Sequence, residues 1–228
     1  LGRVHYRDAH ALQQALWERS GDDHLLLLEH PHVFTMGARA KREHVLVDPA
    51  AVGAELVDTD RGGDVTYHGP GQLVGYPIVD VPLGHNAIPC HVNGVEQLVI
   101  DALTELGLPG ADRLAGYPGV WFEGRKIAAI GIRVSKGRSM HGFALNVDPD
   151  MEWFRRIVPC GIADKAVTSL AAEGVHVAMH EVVDVVARLA ADRWARDGWE
   201  RADVAWDRDE ARAPVTLPVS ERKPEWVR

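Results

Sequence analysis

Cysteine is nearly absent from this chain of 228 residues: Cys90 and Cys160 are its two. That excludes a disulfide framework and favours a reducing compartment. Long apolar runs are missing too. Leu25–Leu28 is the longest aliphatic stretch, far short of the roughly 20 residues a membrane-crossing helix needs. No basic stretch followed by an apolar one opens the chain, so the expectation is a cytoplasmic protein without membrane attachment. Excess positive charge is also lacking: 25 Lys and Arg stand against 33 Asp and Glu, a formal net charge of −8, which argues against a general nucleic-acid binder. Neither GxGxxG nor a phosphate loop ending in Gly-Lys-Ser/Thr occurs. His176 and His180 are four apart but do not form HExxH, and His30 and His32 have no third ligand at a recognisable spacing. Both pairs read as polar loop or helix-flanking residues, and no metal is expected. There is no internal repeat, and no linker divides the chain. One domain over residues 1–213 is expected, with 214–228, rich in proline and charge, as a peripheral tail.

What is present is concentrated between Arg61 and Tyr76. Gly62 and Gly63 permit positive φ and close approach of another group to the backbone. Val65-Thr66-Tyr67 has strand composition, Gly69-Pro70-Gly71 punctuates it, and an apolar strand runs from Leu73 to Val79. The rest is a soluble mixture of helices and strands, 46% hydrophobic and 25% charged. Helical spacing predicts short helices from Ala11 to Arg19 and from about His180 to Trp194, and a longer one from Val92 to Leu106 ended by Gly107. Pro82 to Pro89 reads as irregular. Leu25–Leu28 reads as a buried strand, and Glu152–Val158 as a helical turn.

Between Val120 and Val147 the pattern is an antiparallel meander, with turns at Glu123-Gly124-Arg125 and Lys136-Gly137-Arg138. Period-two alternation puts Lys126 on the face of Ala128, Ile130 and Ile132. A lysine held in a dry pocket loses part of the stabilisation of its ammonium form and can act as a base near neutral pH. Cys160, between Pro159 and Gly161, has the irregular setting of a reactive thiol. Cys90 follows a proline just before a helix whose N-terminus would favour a thiolate. Local chemistry does not separate the two.

The order Arg61-Gly62-Gly63, Thr66, Tyr67, His68, Gly71-Gln72 and Tyr76 resembles the signature of the lipoyl(octanoyl) transferases. These enzymes move an octanoyl group from acyl carrier protein to a lysine of lipoyl domains. Three further blocks stand in the family's order: Gly124–Gly131, His141–Asn146, and Pro159-Cys160-Gly161 followed by Val167-Thr168-Ser169-Leu170. The resemblance implies an α+β fold like the catalytic domain of biotin and lipoate protein ligases, with a mixed, largely antiparallel sheet flanked by helices. It implies Cys160 as nucleophile, passing the octanoyl group through a thioester, and Lys126 as its partner. Cys90 has no counterpart in the family pattern.

On this resemblance, Arg61, Gly62, Gly63, Asp64, Val65, Thr66, Tyr67 and His68 wall the acyl pocket, with Ala129, Ile130, Gly131, Gly142, Phe143 and Ala144 beside the chain. Backbone N–H groups from Gly142 to Ala144 are candidates for an oxyanion hole. No ATP or metal is expected. The implied donor is octanoyl-acyl carrier protein, and the acceptors are lipoyl domains of 2-oxoacid dehydrogenase complexes and the glycine cleavage H protein. Because these partners are acidic, Arg39, Lys41, Arg42, Arg133, Lys136 and Arg138 are expected to form a docking rim. An ATP-dependent lipoate or biotin ligase, a non-catalytic acyl or lipoyl-domain binder, and a cysteine amidotransferase acting between lipoyl-type proteins are the alternatives.

Overall fold

The computed structural model describes residues 1–158, 166–195 and 198–204. The chain begins with helix α1 (Tyr6–Arg19), strands β1 (His24–Leu28) and β2 (Val33–Met36), then β3 (Glu55–Asp58), β4 (Val65–His68) and β5 (Gln72–Ile78). Helix α2 (Ala87–Glu105), strands β6 (Asp112–Leu114), β7 (Tyr117–Phe122), β8 (Arg125–Ser135) and β9 (Arg138–Asn146), and helix α3 (Met179–Trp194) follow. The strands form a six-stranded sheet in the order β1-β5-β9-β8-β7-β6 and a three-stranded sheet in the order β3-β2-β4. The larger sheet is antiparallel, and in the smaller one β2 pairs parallel with β3 and antiparallel with β4. This is an α+β fold with a mixed, largely antiparallel sheet flanked by helices.

Every residue of β5 is buried, because β1 and β9 cover its two edges and helices cover both faces. On one face Leu73 joins Leu145, Ile127 and Ala128 against Val95, Leu98 and Leu103 of α2 and Val182 and Val186 of α3. On the other, Val74, Tyr76 and Ala144 pack against Val4 and Ala9 at the start of α1. A separate cluster of Phe34, Met36, Val65 and Tyr67 joins the small sheet to Trp153 and Ile157, on and just after a 3-10 turn (Met151–Arg156). Burial of this kind contributes roughly 25 cal/mol per Å² of apolar surface.

Several expectations shift. The two strands that Gly69-Pro70-Gly71 separates, β4 and β5, lie in different sheets, and the tripeptide is the corner between them. The corner is pinned, since Gly71 N–H donates to Glu29 Oε1 at 2.6 Å and Gly71 O accepts from Val147 and Asp148 N–H at 3.1 and 2.9 Å. Helix α1 begins at Tyr6 rather than Ala11, and its early inward positions, Tyr6, Ala9 and Gln13, are mostly aromatic or polar, so hydrophobic periodicity does not reveal them. Helix α2 begins at Ala87. Pro89 falls in its first turn, where no N–H is needed for the helix ladder, and exposed Cys90 lies within the helix rather than before it. At its end, Gly107 adopts φ +97°, Leu108 N–H donates to Leu103 O at 2.8 Å and Gly107 N–H to Thr104 O at 3.2 Å, a Schellman closure. Both meander turns are two-residue loops with positive φ, at Glu123-Gly124 and Lys136-Gly137.

Candidate active site

Arg61 organises the glycine-rich stretch. Its guanidinium, 7% exposed, donates to Thr35 Oγ1 through Nε at 3.1 Å, to Thr35 O at 2.6 Å and Asp64 O at 2.7 Å through Nη2, and to Gly62 O at 3.0 Å. The loop is thereby wrapped around its own arginine. Gly62 N–H donates to Ile132 O at 3.2 Å, and a Cβ at Gly131 would stand 3.0 Å from Gly62 O. Glycine at 131 therefore lets the loop lie flat on β8. Asp64 accepts from Val65 N–H at 2.6 Å and from His44 Nδ1 at 2.7 Å.

Under this loop opens a cavity, partly open to solvent, between β4, β5, β8, β9 and the start of α1. Arg61, Gly63, Asp64, Val65, Thr66, His68, Lys126, Ala129, Ile130, Gly131, Gly142, Phe143 and Ala144 all line it. Two other expected residues do not. Gly62 turns its backbone to Ile132. Tyr67 lies on the opposite face of β4, where it stacks on Trp153 with ring centroids 5.3 Å apart and its hydroxyl meets His32 Nδ1 at 2.9 Å. Tyr6, Val74, Tyr76 and His141 complete the wall. Of these, Val74 and Tyr76 were legible as alternate positions of one strand, whereas Tyr6 belongs to the unrecognised first turn of α1.

Lys126 reaches the cavity because alternation is broken. Val120 of β7 faces Ala128 and Trp121 faces Lys126, so Ile127 is an extra residue, a β-bulge. Ile127 and Ala128, adjacent in sequence, both enter the core against the helices. Lys126 is thus not on the face of Ala128, as strict alternation requires, but lines the cavity with Ala129 and Gly131. Half-buried, it holds its Nζ 4.8 Å from the centroid of Trp121. Its backbone is bracketed: Lys126 N–H donates to Ala166 O and Thr168 N–H to Lys126 O, both at 2.9 Å. Cys160 lies outside the described residues. The described flanks of its segment are Val158, whose N–H donates to His44 O at 2.8 Å, and Ala166.

The imidazole and phenol groups in and behind the cavity wall are uncharged at neutral pH. Burial pushes His30 and His141 down to about 4 and His68 well below the usual imidazole range, and it raises Tyr6 to about 12. His30 does lie in the loop between β1 and β2, but it is fully buried rather than solvated, meeting Val4 O at 2.6 Å and Tyr76 Oη at 2.7 Å. Among the described residues, His10, Asp60 and His141 bring three metal-ligating atoms within 4.8 Å of one another. Asp60 is already engaged, by His141 Nε2 at 2.7 Å and by the Arg133 guanidinium, whose charge opposes a cation there. The cluster reads as a charge-balanced contact.

Of the expected basic rim, Arg138 is 8% exposed and donates to Asp80 at 2.9 Å and Ile78 O at 3.3 Å, so it is structural rather than part of a docking surface. Its burial on β9 is a tertiary fact that a count of basic residues misses. Arg42 and Lys41 face Asp58 and Glu43 at 2.8 and 3.6 Å, and Lys136 lies over Trp17.

Residues 5–190 match the model of the lipoyl protein ligase A/B catalytic domain. An octanoyltransferase of Gloeobacter violaceus is 52% identical over 169 residues, 74% of each chain, and one of Mycobacterium leprae is 46% identical over 209 residues, 87% of each. The chain belongs to the octanoyltransferase family. As a family member it is a transferase enzyme, built on the architecture that lipoate ligases share. A lipoate-protein ligase A bound with ATP superposes with a TM-score of 0.73 at 18% identity, over 85% of this chain and 83% of that one. A bi-partite lipoate protein ligase of Thermoplasma acidophilum, described with its E2 lipoyl domain, gives 0.69 at 18% identity, over 84% and 80%. At those identities the likeness is one of fold.

Proposed function

We propose that this octanoyltransferase takes its acyl group from octanoyl-acyl carrier protein, holds it as a thioester on Cys160, and passes it to a lysine of lipoyl domains, those of 2-oxoacid dehydrogenase complexes and of the glycine cleavage H protein. The observation that carries the reading is the bracketing of Lys126 by Ala166 and Thr168. It joins the strand that presents Lys126 to the cavity with the chain that leaves the Cys160 segment.

In the first half-reaction Lys126 takes the Cys160 proton, and the thiolate adds to the thioester carbonyl. The phosphopantetheine thiolate then leaves with the proton returned from Lys126. In the second, the target amine adds to the acyl-enzyme carbonyl, Lys126 receives the amine's proton, and the Cys160 thiolate departs. The product amide is more stable than the thioester, so the sequence runs without ATP, and no step needs a metal. Ala129, Gly131, Gly142 and Ala144 are small and leave room for a straight alkyl chain in the cavity.

Donor trials test this reading. Octanoyl-acyl carrier protein alone is expected to label a lipoyl domain, while free octanoate with ATP leaves it unlabelled. Labelling only from free acid with ATP would place the chain's chemistry with the ligases instead.

A further inference from the structure

We infer that Gln72 and Asn146 form a relay of fixed polarity that holds the backbone beside Lys126 and locks His68 in one tautomer, making Asn146 a positioning residue for acyl transfer. Its kinetic consequence rests on the octanoyl-transfer reading, whereas the tautomer does not.

The polarity is dictated from the backbone. Thr168 O can only accept, and a side-chain atom of Asn146 lies 2.9 Å from it, so that atom is the amide nitrogen. Asn146 Oδ1 then points to the Gln72 side chain at 2.9 Å and requires a donor there. The same Gln72 nitrogen reaches Tyr67 O at 3.3 Å, a second group that can only accept, and so demands the same orientation. Gln72 Oε1 is left facing His68 Nδ1 at 2.7 Å, so Nδ1 carries the proton. On a ring that burial keeps neutral, Nε2 therefore holds a lone pair, and the ring lines the cavity. Water has little access to rearrange the chain: His68, Gln72, Asn146 and Thr168 are 5%, 1%, 3% and 3% exposed.

The far end of the relay reaches Lys126. Thr168, whose carbonyl Asn146 holds, donates its N–H to Lys126 O, and Leu170 N–H donates to Asn146 O at 3.0 Å. Asn146 thus grips the 168–170 backbone by both side chain and main chain. The middle of the relay is set by register, since Gln72 and Asn146 are direct cross-strand partners in β5 and β9. One amide pair ties the glycine-rich block to the block that follows Cys160.

The two ends separate experimentally. Long-range ¹H–¹⁵N spectra of histidine-labelled protein, with His68→Asn to identify the resonance, are expected to show His68 as the Nδ1–H tautomer. Gln72→Leu removes that preference, whereas Asn146→Asp keeps it, because its carboxylate still accepts from Gln72. Once its carboxyl is ionised, at pH above its titration, Asn146→Asp has no donor for Thr168 O. It is expected to speed hydrogen exchange at the Thr168 and Lys126 amides and to lower kcat for octanoyl transfer at least tenfold, with KM within twofold. An Nε2–H tautomer in the wild type overturns the relay, and the wild-type spectrum suffices should either variant fail to fold. Unchanged amide exchange, or unchanged kcat, in Asn146→Asp overturns the positioning role. Absence of octanoyl transfer by the wild type refutes the functional reading and leaves the spectra and the exchange rates to decide the relay.

Discussion

Lys126 sits where three constraints meet: a bulge turns it to the cavity, Trp121 faces its Nζ, and Gly119 leaves room for its stem, a Cβ there falling 3.3 Å from Lys126 Cε. Its backbone bonds do not depend on the side chain, so Lys126→Met is expected to fold normally. Loss of a positioned proton acceptor should lower single-turnover octanoyl transfer about 10²- to 10⁴-fold. A variant within a few-fold of wild type would remove Lys126 from the chemistry. Gly142 is constrained differently. A Cβ there would lie 2.2 Å from Gly75 O and 2.5 Å from Pro77 Cδ, so β5 and β9 approach too closely for any side chain. Gly142→Ala is expected to destabilise by about 1–3 kcal/mol, as overpacking does, read as a lowered urea midpoint. An unchanged midpoint would mean the strands can part without penalty.

At the scale of elements, the cavity wall depends on how the small sheet holds the glycine-rich loop. Thr35 of β2 supplies both Oγ1 and O to Arg61. Thr35→Val keeps the shape and removes one acceptor from a buried guanidinium, a loss of about 1–3 kcal/mol. Chemical denaturation measures it, and a change near zero would show that water replaces the hydroxyl. This scale is also where the sequence was least legible. Long periodic elements such as α2 and α3 could be read from their patterns, because burial on one face repeats along them. The bulge at Ile127 could not, since nothing in Arg-Lys-Ile-Ala-Ala distinguishes a regular strand from one with an extra residue. That single insertion decides which way Lys126 points. Likewise the Gly69-Pro70-Gly71 corner has the composition of a hairpin turn, and only the separate partners of β4 and β5, β2 on one side and β1 and β9 on the other, make it a crossing between sheets. The candidate site residues came from ordered motifs. Tyr6 carried no such motif, and Gly62 and Tyr67 shared the motif without sharing the cavity.

The molecule as a whole encloses neutral histidines between α1 and the sheet. In the unfolded chain these rings take up protons as pH falls through about 6.5, whereas folded His30 and His141 resist until about 4. The unfolded state therefore binds more protons across that window, and stability rises with pH through it. The contribution is fully present above about 6.5 and is lost on descent to 4, on the order of 3 kcal/mol for each ring. Urea midpoints at pH 8, 6, 5 and 4 should fall steadily, and a flat profile over that range would contradict the burial of these rings in neutral form. His68, held lower still, adds in the same direction. The same enclosure that keeps the rings neutral shapes a cavity lined by the flexible Lys126 amine, the fixed Arg61 guanidinium and Asp64. The account's central claim concerns the thiol that would work beside that cavity. Its most direct test is intact-protein mass after incubation with octanoyl-acyl carrier protein, comparing wild type, Cys160→Ser and Cys90→Ser. A thiol-labile gain of one octanoyl group on wild type and Cys90→Ser, absent from Cys160→Ser, is the predicted result. An adduct that persists in Cys160→Ser, or none on any variant while transfer proceeds, would contradict it.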